Sequence, residues 1–166
     1  MNDIQPSLAT LRRKIEAMRK SGGIDLSADE DLSIAVMNLI SLEEHFYFTG
    51  VKTDKPEYFD LLQEVRAIRK DLLARLIDRH EGETWCITKH LLATTMRLIE
   101  VGTKLHADGK AAEAKEMFGR AHKTYSLFWG LRLKLIDAAG FRQVAASDKP
   151  WSLQDIVNKL VDCCDE

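Results

Sequence analysis

The sequence predicts an all-α protein: an up-down-up-down four-helix bundle with an additional short helix at each terminus. Apolar residues recur at helical spacing along four long segments, which is the main sign of amphipathic helices. No segment alternates apolar and polar residues between turn signals, as a strand would. The three prolines fall where a helix would begin or a linker would end: Pro6, Pro56 and Pro150. Because the connections between the long segments are short, consecutive helices are expected to be antiparallel.

The four long helices are bounded by capping residues and glycines. Ser27 and Glu30 have the spacing of a capping box, so the first helix is predicted to run from Ser27 to about Gly50. Asp54 and Glu57 repeat that spacing and predict the start of the second helix. The remaining ends are expected at glycines, which readily adopt the left-handed conformation that closes a helix: Gly82, Gly109 and the neighbourhood of Gly140.

Apolar spacing also predicts which residues face the core. In the fourth helix Tyr125 and Phe128 belong to the apolar stripe, which leaves Trp129 facing outward. Cys86 in the third helix is expected to be a small core residue. The stripe of the second helix is expected to consist of Tyr58, Leu61, Val65, Ile68, Leu72 and Leu76.

The chain is predicted to have three parts. Residues 1–140 form the bundle, including an N-terminal amphipathic helix; residues 141–150 form a linker; and residues 151–166 form a C-terminal docking helix. Because this last helix is too short to persist alone in water, it must dock, either on its own bundle or in a groove of a second copy or a partner. The residues expected to make the docking contact are Trp151, Leu153, Ile156 and Leu160.

Composition narrows the class of protein. The chain has 166 residues, of which 45% are apolar and 30% charged, as in an ordinary folded domain. No uncharged segment approaches the length of a membrane span, and the N-terminus lacks the features of a signal peptide, so neither membrane insertion nor export is expected. Cys86, Cys163 and Cys164 cannot form a disulfide framework, which favours a reducing cytoplasm.

Charge is unevenly distributed along the chain. The net charge of −2 disfavours nucleic acid as a partner. Residues 1–23 hold five basic and two acidic residues, whereas residues 24–50 hold six acidic residues and no lysine or arginine. Segments of opposite charge are expected to pack against each other within the bundle rather than to bind an external charged partner.

Small and apolar residues are regularly spaced across the third and fourth helices: Leu98, Val101, Gly102, Leu105, Gly109, Ala114, Phe118 and Ala121. This spacing resembles one tetratricopeptide repeat, over residues 98–126. The resemblance implies a tightly packed helical hairpin in which Gly102 marks the closest approach. The sequence departs from that family at Ser126, where a proline usually closes the second helix, and no second copy follows.

Candidate chemistry is confined to polar residues of the long helices. The sequence holds no phosphate-binding glycine loop, nucleophile elbow or zinc motif, and we expect no cofactor. It also lacks the Glu-x-x-His pairs of di-iron bundles. Two interpretations of the polar residues stay open: a site for a metal or an anionic ligand, or a buried network in which Arg97 pairs with Glu100 or Glu64 and fixes helix register. The candidates are Glu44, Glu64, His90, Arg97, Glu100 and His122.

The leading functional hypothesis is a non-catalytic module that binds another protein or itself. The hypothesis is reached by elimination, because the sequence holds no catalytic motif. The alternative is a ligand- or metal-binding bundle, with or without enzymatic activity, that uses the polar residues of the long helices.

Overall fold

The computed structural model describes residues 26–78 and 82–136, together with Arg13 and Ala17. This part of the chain is all-helical and contains no strand, as predicted. The terminal helices predicted around residues 6–20 and 151–166 lie outside the described residues, except that Arg13 and Ala17 are helical. The four long helices are α1 (Ser27–Thr53), α2 (Glu57–Leu76), α3 (Glu83–Ala107) and α4 (Ala111–Arg132).

The helices form two antiparallel hairpins. α1 packs along α2 and α3 packs along α4, and the hairpins meet where α1 contacts α3. Gly50 of α1 lies against Phe59 of α2, and Gly102 of α3 lies against Phe118 of α4, so a glycine allows close approach in each hairpin. A second link joins the hairpins, because the hydroxyl groups of Ser33 in α1 and Tyr125 in α4 are 2.7 Å apart.

The turn inside each hairpin is closed by a residue in the left-handed conformation. Gly109 follows α3 with φ of 75°, and the N–H of Lys110 donates to the carbonyl of Leu105 at 2.9 Å. This is the glycine-terminated helix end that the sequence predicts. Asp54 follows α1 with φ of 53°, so this residue ends the first helix instead of capping the second.

The buried core occupies one end of the molecule. We call this the closed end: residues 26–37, 69–77, 88–95 and 126–136, where α1 and α3 begin and α2 and α4 finish. Its fully buried side chains come from all four helices and include Val36, Leu73, Leu92, Phe128 and Trp129. We call residues 42–68 and 97–120 the open half, because most of the large apolar side chains that stay exposed belong to these segments.

The last helix ends earlier than predicted. α4 stops at Arg132, and Lys134 adopts the left-handed conformation with φ of 54°. The N–H of Leu135 then donates to the carbonyl of Gly130 at 2.9 Å, which closes the helix and turns the chain back on itself. The turn buries Leu135 and Ile136 in the core, and that burial is the physical reason the helix does not continue. Gly140, the predicted end, lies outside the described residues.

Three predicted orientations are wrong. In α2 the buried face is formed by Arg69, Leu73 and Leu76, so the predicted stripe is rotated about the helix and Ile68 is exposed. Trp129 is fully buried, because every residue of α4 from Ser126 to Leu131 is buried and no side of the helix is left exposed there. Cys86 is exposed and therefore does not fill the core.

The α3–α4 contact supports a test by substitution at Gly102. A Cβ atom added there would lie 2.6 Å from Cε1 of Phe118, closer than packed atoms allow. We expect Gly102→Leu to lower the free energy of unfolding by about 1–3 kcal/mol, measured by urea denaturation, because either the Phe118 ring must leave its packed position or the helices must move apart.

Gly119 supplies the matched control for that substitution. It lies within α4, and a Cβ atom added there would meet nothing within 4 Å. Gly119→Ala should therefore stabilise the protein by about 1 kcal/mol, through helix propensity alone. An unchanged stability of Gly102→Leu would show that the two helices are not in close contact at this point.

Candidate functional site

The core-facing side of α1 continues beyond the core as an exposed surface. Val36, Ile40, Tyr47 and Val51 follow one another at helical spacing and share one face of α1. Val36 is buried and Ile40 is half-buried, whereas Tyr47 and Val51 are 50% and 59% exposed. In the open half α2 covers this face at Glu43 and Gly50, whereas the described residues leave Tyr47 and Val51 exposed.

An open cleft of about 420 Å³ lies beside this surface, between α1 and α3. Six residues of α1 between Ser41 and Lys52 line one wall, and Arg97 and Glu100 of α3 line the other. The only large apolar side chain in its lining is Phe48, which is 48% exposed. Tyr47, Phe48 and Val51 together form what we call the aromatic face, and the cleft forms its polar border.

Arg97 connects the two walls of the cleft. Its guanidinium donates to Oε2 of Glu100 at 2.8 Å on the same helix and pairs with Glu44 across the gap to α1. All three side chains are partly exposed, so each ion pair contributes only about 0–1 kcal/mol to stability. The structural effect of the Arg97–Glu44 pair is to hold α1 and α3 together at the level where the open half begins.

The other three candidate residues do not join this group. Glu64, His90 and His122 are exposed on α2, α3 and α4, and the structure gives no ion pair between Glu64 or His90 and the Arg97 group. The pairing of Arg97 with Glu100 was one of the two partners expected from the sequence, whereas Glu44 takes the place expected for Glu64. Within the described ranges no three His, Cys, Asp or Glu residues are arranged to hold a metal ion.

The sequence interpretation missed a buried ion pair between α1 and α2. Nε and Nη2 of Arg69 donate to the two carboxylate oxygens of Glu43 at 2.7 and 3.1 Å. The side chains are only 5% and 14% exposed. A signal was present: Arg69 lies one turn from both Val65 and Leu73, on the face that these apolar residues share.

The residues predicted to dock the C-terminal helix, Trp151, Leu153, Ile156 and Leu160, lie outside the described residues, so their role stays a prediction.

Two further findings bear on function. Along the part of the chain that the structure describes, no helix combines the length and the apolar character needed to cross a membrane. Comparison of the chain with protein-family models, with curated proteins and with solved structures found no match.

Proposed function

We propose that this chain is a non-catalytic protein-interaction module that binds an amphipathic helix on its aromatic face. The observation that carries the proposal is the exposure of Tyr47, Phe48 and Val51 on the face of α1 that forms the core elsewhere. Burying one such side chain is worth about 1.5–3 kcal/mol, so a face that leaves three of them in water favours association. Clustered apolar exposure of this kind marks interaction sites on soluble domains.

The aromatic face and its polar border together have the composition of a protein interface. Aromatic residues occupy the centre, while charged residues such as Lys52, Arg97 and Glu100 lie at the edge. A cleft between two helices suits a third helix, whose apolar residues would contact α1 and whose polar residues would contact the edge. A second copy of this chain is one partner that would satisfy these requirements.

A small ligand is the second candidate occupant, because a volume of about 420 Å³ falls in the range of small-molecule pockets. Such pockets are mostly apolar and enclosed. This cleft is open, and Phe48 is the one large apolar side chain in its lining. The chemistry of the lining therefore favours the edge of a protein interface over a ligand pocket.

A cytoplasmic location is part of the proposal. Cys86 is a free and exposed thiol, and such a thiol persists in a reducing compartment. The additional helices predicted at the two termini also belong to the proposed architecture, as elements that extend the described four helices.

A pair of charge substitutions on α1 tests the proposed function. We expect Phe48→Asp to weaken partner binding about thirtyfold, the loss typical of a central interface residue. The measurement is the amount of protein that co-purifies with the tagged chain from extracts of its own cells, together with the mass of the purified chain in solution.

Ile34 is the matched control, because it lies on the same helix and is 46% exposed, against 48% for Phe48. Ile34→Asp should leave both measurements unchanged, and both variants should keep the stability of the parent within about 0.5 kcal/mol. Equal binding by the two variants would contradict the proposed function.

A further inference from the structure

We propose that residues 151–166 of the chain itself occupy the aromatic face when no partner is bound and compete with the partner for it. The inference rests on the proposed function, because it names the regulation of the same surface.

The end of the described chain lies close enough for this contact. Ile136 is buried at the closed end, and α4 spans about 33 Å from that end to the tip of the open half. The fourteen residues from 137 to 150 can span at most about 46–50 Å. Residue 151 can therefore reach any level of α1, including Tyr47 and Phe48.

Attachment to the same chain favours this segment over a second copy. A short connection holds a tethered segment at an effective concentration of about millimolar. A second copy at micromolar concentration would present the same segment about a thousandfold more dilute. An intrachain contact is therefore expected before self-association, provided the segment fits the surface.

The apolar residues of the segment match the aromatic face. The spacing of Leu153, Ile156 and Leu160 would place them on one side of a helix, as a contact with the aromatic face requires. The segment carries four acidic residues and one lysine. Lys52, at the edge of the cleft, forms no ion pair with another described residue and can donate to one of those carboxylates.

The test uses the full-length chain, purified without a partner, with Tyr47 replaced by the photoreactive residue p-benzoylphenylalanine. After irradiation, mass spectrometry should find position 47 joined to residues 151–166. Mixing ¹⁵N-labelled and unlabelled chains before irradiation distinguishes the two sources of the segment, and the adducts should form within one chain. The same photoreactive residue at position 34 should give no such adduct, and Leu160→Asp should abolish the adduct at position 47.

Adducts that form only between chains, adducts to residues 1–25, or no adduct at all would overturn the inference. If the segment covers the surface nine-tenths of the time, Leu160→Asp should also increase partner capture by about tenfold. The outcomes separate the two proposals. Loss of the partner in Phe48→Asp without an intrachain adduct would refute only this inference, whereas an intrachain adduct without any effect of Phe48→Asp on binding would refute only the proposed function.

Discussion

Replacing Trp129 by alanine is expected to lower the free energy of unfolding by about 3–5 kcal/mol, the cost of deleting a large aromatic side chain from a packed core. Trp129 is fully buried and meets Phe128 and Tyr125 edge-on, with ring centroids 5.3 and 6.0 Å away. Tyr125 in turn contacts Ser33, so the substitution would weaken the packing of both hairpins. Urea denaturation followed by far-ultraviolet circular dichroism measures the change.

Two further substitutions make the Trp129 experiment specific. No described residue accepts a hydrogen bond from the buried indole N–H, so Trp129→Phe removes an unsatisfied donor and should cost much less than the alanine variant. Tyr47→Ala, in the open half, should change stability by no more than about 0.5 kcal/mol. If Tyr47→Ala were as costly as Trp129→Ala, the core would not be confined to the closed end.

Arg69→Met is expected to lower the free energy of unfolding by about 3–5 kcal/mol. The substitution leaves the Glu43 carboxylate buried between α1 and α2 without its two charge-assisted hydrogen bonds. The loss arises chiefly from the unpaired charge, because the methionine side chain fills much of the same volume. Equilibrium unfolding in urea measures it.

The double variant Glu43→Leu with Arg69→Met distinguishes the loss of the ion pair from the cost of leaving one buried charge unpaired. Because replacing both charges removes the desolvation penalty together with the attraction, the double variant should be close to the parent in stability or above it. Arg97→Met breaks the partly exposed ion pairs with Glu44 and Glu100 and should cost no more than about 1 kcal/mol. Similar losses for Arg69→Met and Arg97→Met would contradict the burial described for the Arg69 pair.

The helices themselves were predictable because their signals are local. Gly109 closes α3 in the left-handed conformation, and Pro56 stands immediately before α2, as the sequence indicates. The end of α4 was not predictable in this way. Lys134 has no intrinsic preference for the left-handed conformation, and it adopts it because Leu135 and Ile136 gain burial against other helices.

The orientation of the helices was harder to predict, because apolar residues occupy more than one side of α2. Periodicity selects Ile68 as readily as Leu73, and only packing against α1 decides between them. That packing turns Arg69 inward to meet Glu43 and leaves Ile68 in solvent. The interpretation of Trp129 failed for a related reason, since a helix that is surrounded at one end buries residues outside its main stripe.

The candidate site was predictable only where its contacts are local. Arg97 and Glu100 are three residues apart on one helix, and their ion pair follows from that spacing. The pairing with Glu44 depends on how α1 and α3 meet, which the sequence does not specify. The aromatic face depends on the same geometry. By spacing alone Tyr47 and Val51 resemble core residues, and only the packing of the hairpins leaves them exposed.

Photo-crosslinking in living cells tests directly whether the aromatic face binds a protein, with p-benzoylphenylalanine in place of Val51 and, in a parallel strain, in place of Ile34. Both side chains are exposed on α1, but only Val51 belongs to the aromatic face. If this face binds a protein, position 51 should give a discrete adduct of higher mass, and Phe48→Asp in the same chain should remove it. No adduct at position 51, or the same adduct at both positions, would show that the aromatic face is not the binding surface.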